Sequence, residues 1–95
     1  QYPAVEHDLA IVVDNTVTCE DLERRITSAG GKLLEGVRLF DVYRDPVRIG
    51  KGKKSMAFAL TYRSDDHTLT SEEVEKAHQK IVTKVCKGVN GEVRG

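Results

Sequence analysis

Three histidines, two cysteines and one lysine-rich glycine loop are the residues of this chain whose chemistry could go beyond folding. His7, His67 and His78 are scattered, and no spacing pairs them with a serine, a cysteine or a metal-ligand set. Cys19 and Cys86 stand alone, without the CxxC or Cys/His spacing that zinc requires. They read as small hydrophobes on helices, with a disulfide left open. Gly50-Lys-Gly-Lys-Lys-Ser55 has the composition of a phosphate loop but not its spacing. A Walker loop needs GxxxxGK[ST] leading into a helix. Here position 47 is valine, Lys54 separates Lys53 from Ser55, and the run leads into a strand. A phosphatase cradle after the first strand is also missing, since Asp14, Asn15 and Thr16 follow Val13. No constellation supports catalysis, a metal or a cofactor in this domain.

Recognition is the better case. Single-stranded RNA is commonly read by a flat sheet that offers a ring for stacking and polar groups for base edges. Tyr43 supplies a ring, Ser55 a hydroxyl and Asp41 an acceptor, while Ala57 and Ala59 keep the floor low. Between them, Arg44 to Lys54 holds five basic residues and one acid, a net +4 on an otherwise −4 body. Such a loop can meet phosphates. The residues allow a second reading, in which Tyr43 is an ordinary strand tyrosine and the face packs on another domain or takes a small ligand. Only one aromatic is offered, where RNA-binding sheets usually offer two or three.

These residues must be positioned by the hairpin from Val37 to Tyr62. VRLFDVY (Val37 to Tyr43) and SMAFALTY (Ser55 to Tyr62) alternate as half-buried strands do, around a polar loop with Pro46, Gly50 and Gly52. In the second strand Met56, Phe58, Leu60 and Tyr62 face a core, and Ser55, Ala57, Ala59, Thr61 and Arg63 face away. The first strand is ambiguous by pattern. Placing Phe40 and Val42 inward puts Tyr43 with Ser55 and leaves Asp41 in water, which is cheaper than burying it. Val37 and Leu39 then face outward.

The rest of the chain supplies the cover. Asp8 to Val13 reads as a central strand with Leu9, Ile11 and Val13 in the core. Thr18 reads as an N-cap with Asp21 in the capping-box position, for a helix to about Ala29 that buries Cys19, Leu22, Ile26 and Ala29. Gly30 and Gly31 stop it. Thr70-Ser-Glu-Glu73 is a capping box for a second helix to about Lys87, with Val74, Ala77, Ile81, Val82 and Val85 inward and Gly88 as cap. Gly91 to Arg94 fits a short edge strand. The order strand, helix, strand, strand, helix, strand predicts an α+β, ferredoxin-like βαββαβ sandwich. Its four-stranded antiparallel sheet carries both helices on one face.

Ninety-five residues suit one domain, 1–95. The start at Gln1 rather than Met reads as a piece of a longer chain, with no signal peptide. No apolar run approaches the roughly 20 residues of a membrane span. Zero formal net charge argues against a general polyanion binder and for a limited phosphate contact.

LFDVYR at Leu39 to Arg44, GKKSMAF at Gly52 to Phe58, HTLTSEEV at His67 to Val74 and EVR at Glu92 to Arg94 resemble the ferredoxin-fold anticodon-binding domain. Tyr2-Pro3 with Asp8-Leu-Ala10 is similar to that family's opening signature. The family domain closes the beta subunit of bacterial phenylalanyl-tRNA synthetase. The resemblance implies a cytoplasmic, non-catalytic module that grips the anticodon stem-loop of phenylalanine tRNA. It would work beside the alpha subunit and the other beta-subunit domains of a ligase whose ATP and magnesium bind elsewhere. It implies that Tyr43 stacks on an anticodon base and Ser55 contacts the same base. Asp41 and Ala57 would be neighbours on that face, and Arg44, Lys53 and Lys54 would meet the backbone. Glu6 and His7 stand where the family often has a basic residue, and His67 replaces a frequent arginine.

Overall fold

The computed structural model describes residues 2–94. Its elements follow the expected order: β1 (Val5–Asp14), α1 (Cys19–Gly30), β2 (Leu34–Tyr43), β3 (Lys53–Tyr62), α2 (Ser71–Val89) and β4 (Glu92–Val93). A single 3₁₀ turn, Gly31–Leu33, joins α1 to β2. The strands form one sheet in the order β2-β3-β1-β4, with every neighbouring pair antiparallel. This is the ferredoxin-like α+β arrangement expected.

The core lies between one sheet face and the two helices. Leu9, Ile11 and Val13 of β1 and Met56, Phe58, Leu60 and Tyr62 of β3 meet Leu22, Ile26 and Ala29 of α1 and Val74, Ile81 and Val85 of α2. This is one contiguous cluster within the described residues. Strand alternation and the 3.6-residue helical repeat account for every one of these positions. β1 begins three residues earlier than the apolar run, because ladder pairing with β3 continues through polar Glu6 and His7. Tyr62 and His78 are buried in this core, and the tyrosine hydroxyl lies 2.9 Å from His78 Nδ1. His7 stacks on His78 with ring centroids 3.7 Å apart.

Both helix starts are capped as the sequence indicates. Thr18 accepts from the Asp21 amide, and Thr70 forms a complete capping box with Glu73. The ends differ in detail. Gly31 alone carries the positive φ of 64° at the end of α1. Gly30 is helical and serves another need: a β-carbon there would lie 2.2–2.9 Å from the Leu34 side chain. At the end of α2, Gly88 is not the cap. The helix runs on to Val89 and is closed by Asn90 at φ 53°, a conformation asparagine tolerates. Gly88 instead leaves room for Arg25, whose guanidinium would lie 2.6 Å from a β-carbon there.

The face assignment of β2 needs correction. Val37 and Leu39 pack against the core rather than facing outward, and Phe40 is exposed rather than inward. The cause is a β-bulge: Leu39 pairs with Phe58 but Asp41 pairs with Ala57, leaving Phe40 as the extra residue. Between this bulge and an earlier register shift at Glu35, the odd-numbered Val37 and Leu39 face the helices. After the Phe40 bulge the parity inverts: Val42 is level with Met56 but, at the edge of the sheet, is exposed and outside the core cluster rather than inward, and Asp41 and Tyr43 are level with Ala57 and Ser55 on the open face. Strict alternation thus failed for half the strand, yet the placement of Tyr43 with Ser55 holds.

Candidate nucleic-acid interface

Neither helix covers the second sheet face. Its side chains form transverse rows fixed by the ladder register. One row is Tyr43, Ser55, Val12 and Glu92. The next is Asp41, Ala57 and Ala10, with Arg94 joined by its backbone amide to the Ala10 carbonyl at 2.9 Å. A third is Arg38, Ala59 and Asp8. The alanines and Ser55 lie in the middle strands, β3 and β1, with Tyr43, Asp41, Arg38, Glu92 and Arg94 at the two edges and Asp8 at one end. The result is a shallow trough with a floor of Ala57, Ala10 and Ala59.

Tyr43 sits at the end of edge strand β2, half-buried on this face. Its hydroxyl donates to Asp45 Oδ2 at 3.0 Å. Asp45 organises the loop that follows: its Oδ1 accepts from the Val47 and Arg48 amides at 3.0 Å each, and its carbonyl from Ile49 and Gly50. The Arg48 amide, then the Tyr43 hydroxyl and the Val47 amide, hold the Asp45 carboxyl below the usual carboxylate range. The same hydrogen bond to Asp45 pushes the Tyr43 phenol up, so the ring stays neutral and its hydroxyl stays a donor. The basic loop is therefore tied to the Tyr43 ring through one carboxylate.

Arg94 is the residue that sequence reasoning missed at this site. Its guanidinium carbon lies 4.7 Å from the centre of the Tyr43 ring, a cation–π contact from the opposite edge of the sheet. The signal was present in the EVR run, but that run counted only toward the overall resemblance. Ser55, between the two edges, is 2 % exposed.

The remaining candidates divide. Asp41 is exposed and Ala57 partly so, both on the open face. Arg44 is exposed and donates from Nε to Asn15 Oδ1 at 3.0 Å. Lys53 is exposed, opposite Asp14 on the same face. Lys54 differs: it is 7 % exposed and level with Val13, on the helix side of the sheet. Alternation demands this, because Ser55 faces the trough and its neighbour must face away. His67 lies in a turn, between Asp66 and Glu73, with Nε2 2.7 Å from Glu73 Oε2. There it supports the start of α2. Among the described residues, no group of three or more His, Cys, Asp or Glu is placed to hold a metal, and no helix is long and apolar enough to cross a membrane.

A family model described as the ferredoxin-fold anticodon binding domain matches residues 1–94. The chain belongs to that family. Members related to this anticodon-binding domain include the phenylalanine-tRNA ligase beta subunits of Clostridium tetani, 45% identical over 94 residues, and of Symbiobacterium thermophilum, 47% identical over 94. Each covers 99% of this chain. The Bacillus subtilis beta subunit is 51% identical over 82 residues, 86% of the chain. The domain spans only 10–12% of the length of these relatives.

Proposed function

We propose that this domain binds the anticodon stem-loop of phenylalanine tRNA on its open sheet face. On this reading it orients the tRNA for aminoacylation in another part of a longer phenylalanine-tRNA ligase. Activation of phenylalanine with ATP and magnesium, and contact with the alpha subunit, belong to that longer assembly. The observation that carries the reading is the shared rung of Tyr43 and Ser55 on a face no helix covers, in a chain of this family.

The trough suggests how binding proceeds. In the free domain Arg94 occupies one side of the Tyr43 ring. A cation–π contact at an exposed site contributes about 0.5–1 kcal/mol, whereas stacking a base on an aromatic is worth about 1–3 kcal/mol. An incoming base therefore takes the guanidinium's place. Displacement of Arg94 frees the cation for a phosphate, and the Ser55 hydroxyl, on the same rung as Tyr43, meets the base edge. Arg44 and Lys53, at the same end of the sheet, meet the backbone and set the register.

Titration of a labelled anticodon stem-loop with the 95-residue chain tests this. Tyr43→Ala and Ser55→Ala are expected to weaken binding while preserving the melting temperature. Equal binding by both variants and the parent would overturn the site. Self-association through the open face, with no RNA shift at any concentration, would favour a protein-interaction module instead.

A further inference from the structure

The geometry points to Phe40 as a second stacking platform, for a different base of the RNA from the one that meets Tyr43. This rests on the RNA-binding reading above and extends it. In a regular strand, residues three apart face opposite sides, so Phe40 and Tyr43 would never share a face. The bulge changes that. Arg38, two residues before Phe40, is level with Ala59 on the open face, and Asp41, just after it, is level with Ala57 on the same face. Parity with Arg38, and its place beside Asp41 as the extra residue opposite Ala57, put Phe40 on the open side.

Exposure agrees. Phe40 is 48 % exposed and lies outside the core cluster. It is one of only two phenylalanines in the chain, and the other, Phe58, is fully buried. An apolar ring left in water by its own domain, with Arg38 and Asp41 on its strand and the alanine floor beside it, fits a flat partner with polar edges. A nucleobase has that form. The sheet then offers two aromatics, the usual minimum for sheets that read single-stranded RNA. Three residues of strand separate the rings by about 10 Å, too far for both to clasp one base. They serve two bases splayed apart along edge strand β2.

The test uses the 95-residue chain and anticodon stem-loops in which each loop base is removed in turn. Phe40→Leu keeps the apolar bulk and removes the π face, and Phe40→Ala removes both. Because the ring is exposed, both variants should melt close to the parent. Each should bind the intact stem-loop between about five-fold and a hundredfold more weakly. Phe40→Tyr should bind like the parent. One abasic position should cost affinity in the parent and nothing further in Phe40→Leu, and a different position should behave so in Tyr43→Ala. Parent-like binding by Phe40→Leu beside a weakened Tyr43→Ala would overturn this inference and leave the proposed function standing. So would sensitivity of both variants to the same abasic position. Failure of the parent to bind any stem-loop would overturn the two together.

Discussion

Two neighbours compete for Tyr43: Asp45 holds its hydroxyl and Arg94 covers its ring. The two can be separated by substitution. Tyr43→Phe keeps the ring and drops the tie to the loop, so stem-loop affinity should fall by less than tenfold. Tyr43→Ala should lose about 1–3 kcal/mol, the worth of one stacked base. Affinities from fluorescence anisotropy distinguish these outcomes. At the same scale, two histidines should give the domain opposed pH responses. Burial, then the adjacent His7, lowers the His78 pKa, so the folded domain keeps it neutral while the unfolded chain protonates near pH 6.5. Its contribution is complete above that pH and is lost as pH falls below it. His67 is raised, first by Asp66 and then by Glu73, so its contribution is complete below about pH 6.5 and is lost as pH rises through the folded value. His78→Gln, which retains an acceptor for Tyr62, should melt below the parent at pH 7.5. The gap should narrow at pH 5.5. A constant gap in calorimetry would contradict the buried neutral assignment.

Among the elements, the α1–β2 junction and the β2 bulge decide how well the trough is built. Gly30 would ordinarily be improved by alanine, since glycine inside a helix costs about 1 kcal/mol. Here the added β-carbon would overlap Leu34, which packs against the core. Gly30→Ala should therefore destabilise by about 1–3 kcal/mol, and adding Leu34→Ala should recover part of that loss relative to Leu34→Ala alone. Urea midpoints for the four proteins of this cycle measure the sign. The bulge shows why element type was readable while facing was not. Alternation in VRLFDVY admits two registers, and a one-residue slip turns every side chain over. One inserted residue satisfied both: Val37 and Leu39 enter the core, and Asp41 and Tyr43 still reach the trough. Nothing local in the sequence distinguishes that solution from an unbroken strand.

For the whole molecule, neutral charge limits affinity but not its salt response. Arg44, Lys53 and Arg94 are exposed cations at the Tyr43 end of the sheet. If each meets one phosphate, the slope of log affinity against log salt should be about −2, at roughly 0.7 per contact for single strands. Arg94→Ala should weaken binding and reduce that slope by about 0.7. Lys54→Ala, on the helix side, should leave the slope unchanged. A slope near zero in the parent would remove phosphate contact from the account.

The amino-acid sequence alone determined what local chemistry determines. The hydroxyls of Thr18 and Thr70 start the helices, and helical spacing selects the Leu22, Ile26 and Ile81 faces. The alternation of β3 separates Met56 and Phe58 from Ser55 and Ala57. With matched blocks in order, that was enough for the fold and the family. What the tertiary structure decided depends on chain segments meeting across the sheet. Pairing against β3 created the bulge that exposes Phe40, and pairing of β4 with β1 brought Arg94 within reach of Tyr43. Lys54 was turned to the helix side by its place in the ladder. Short-range preferences act through neighbouring residues, whereas register and cross-strand contacts exist only once distant segments have docked.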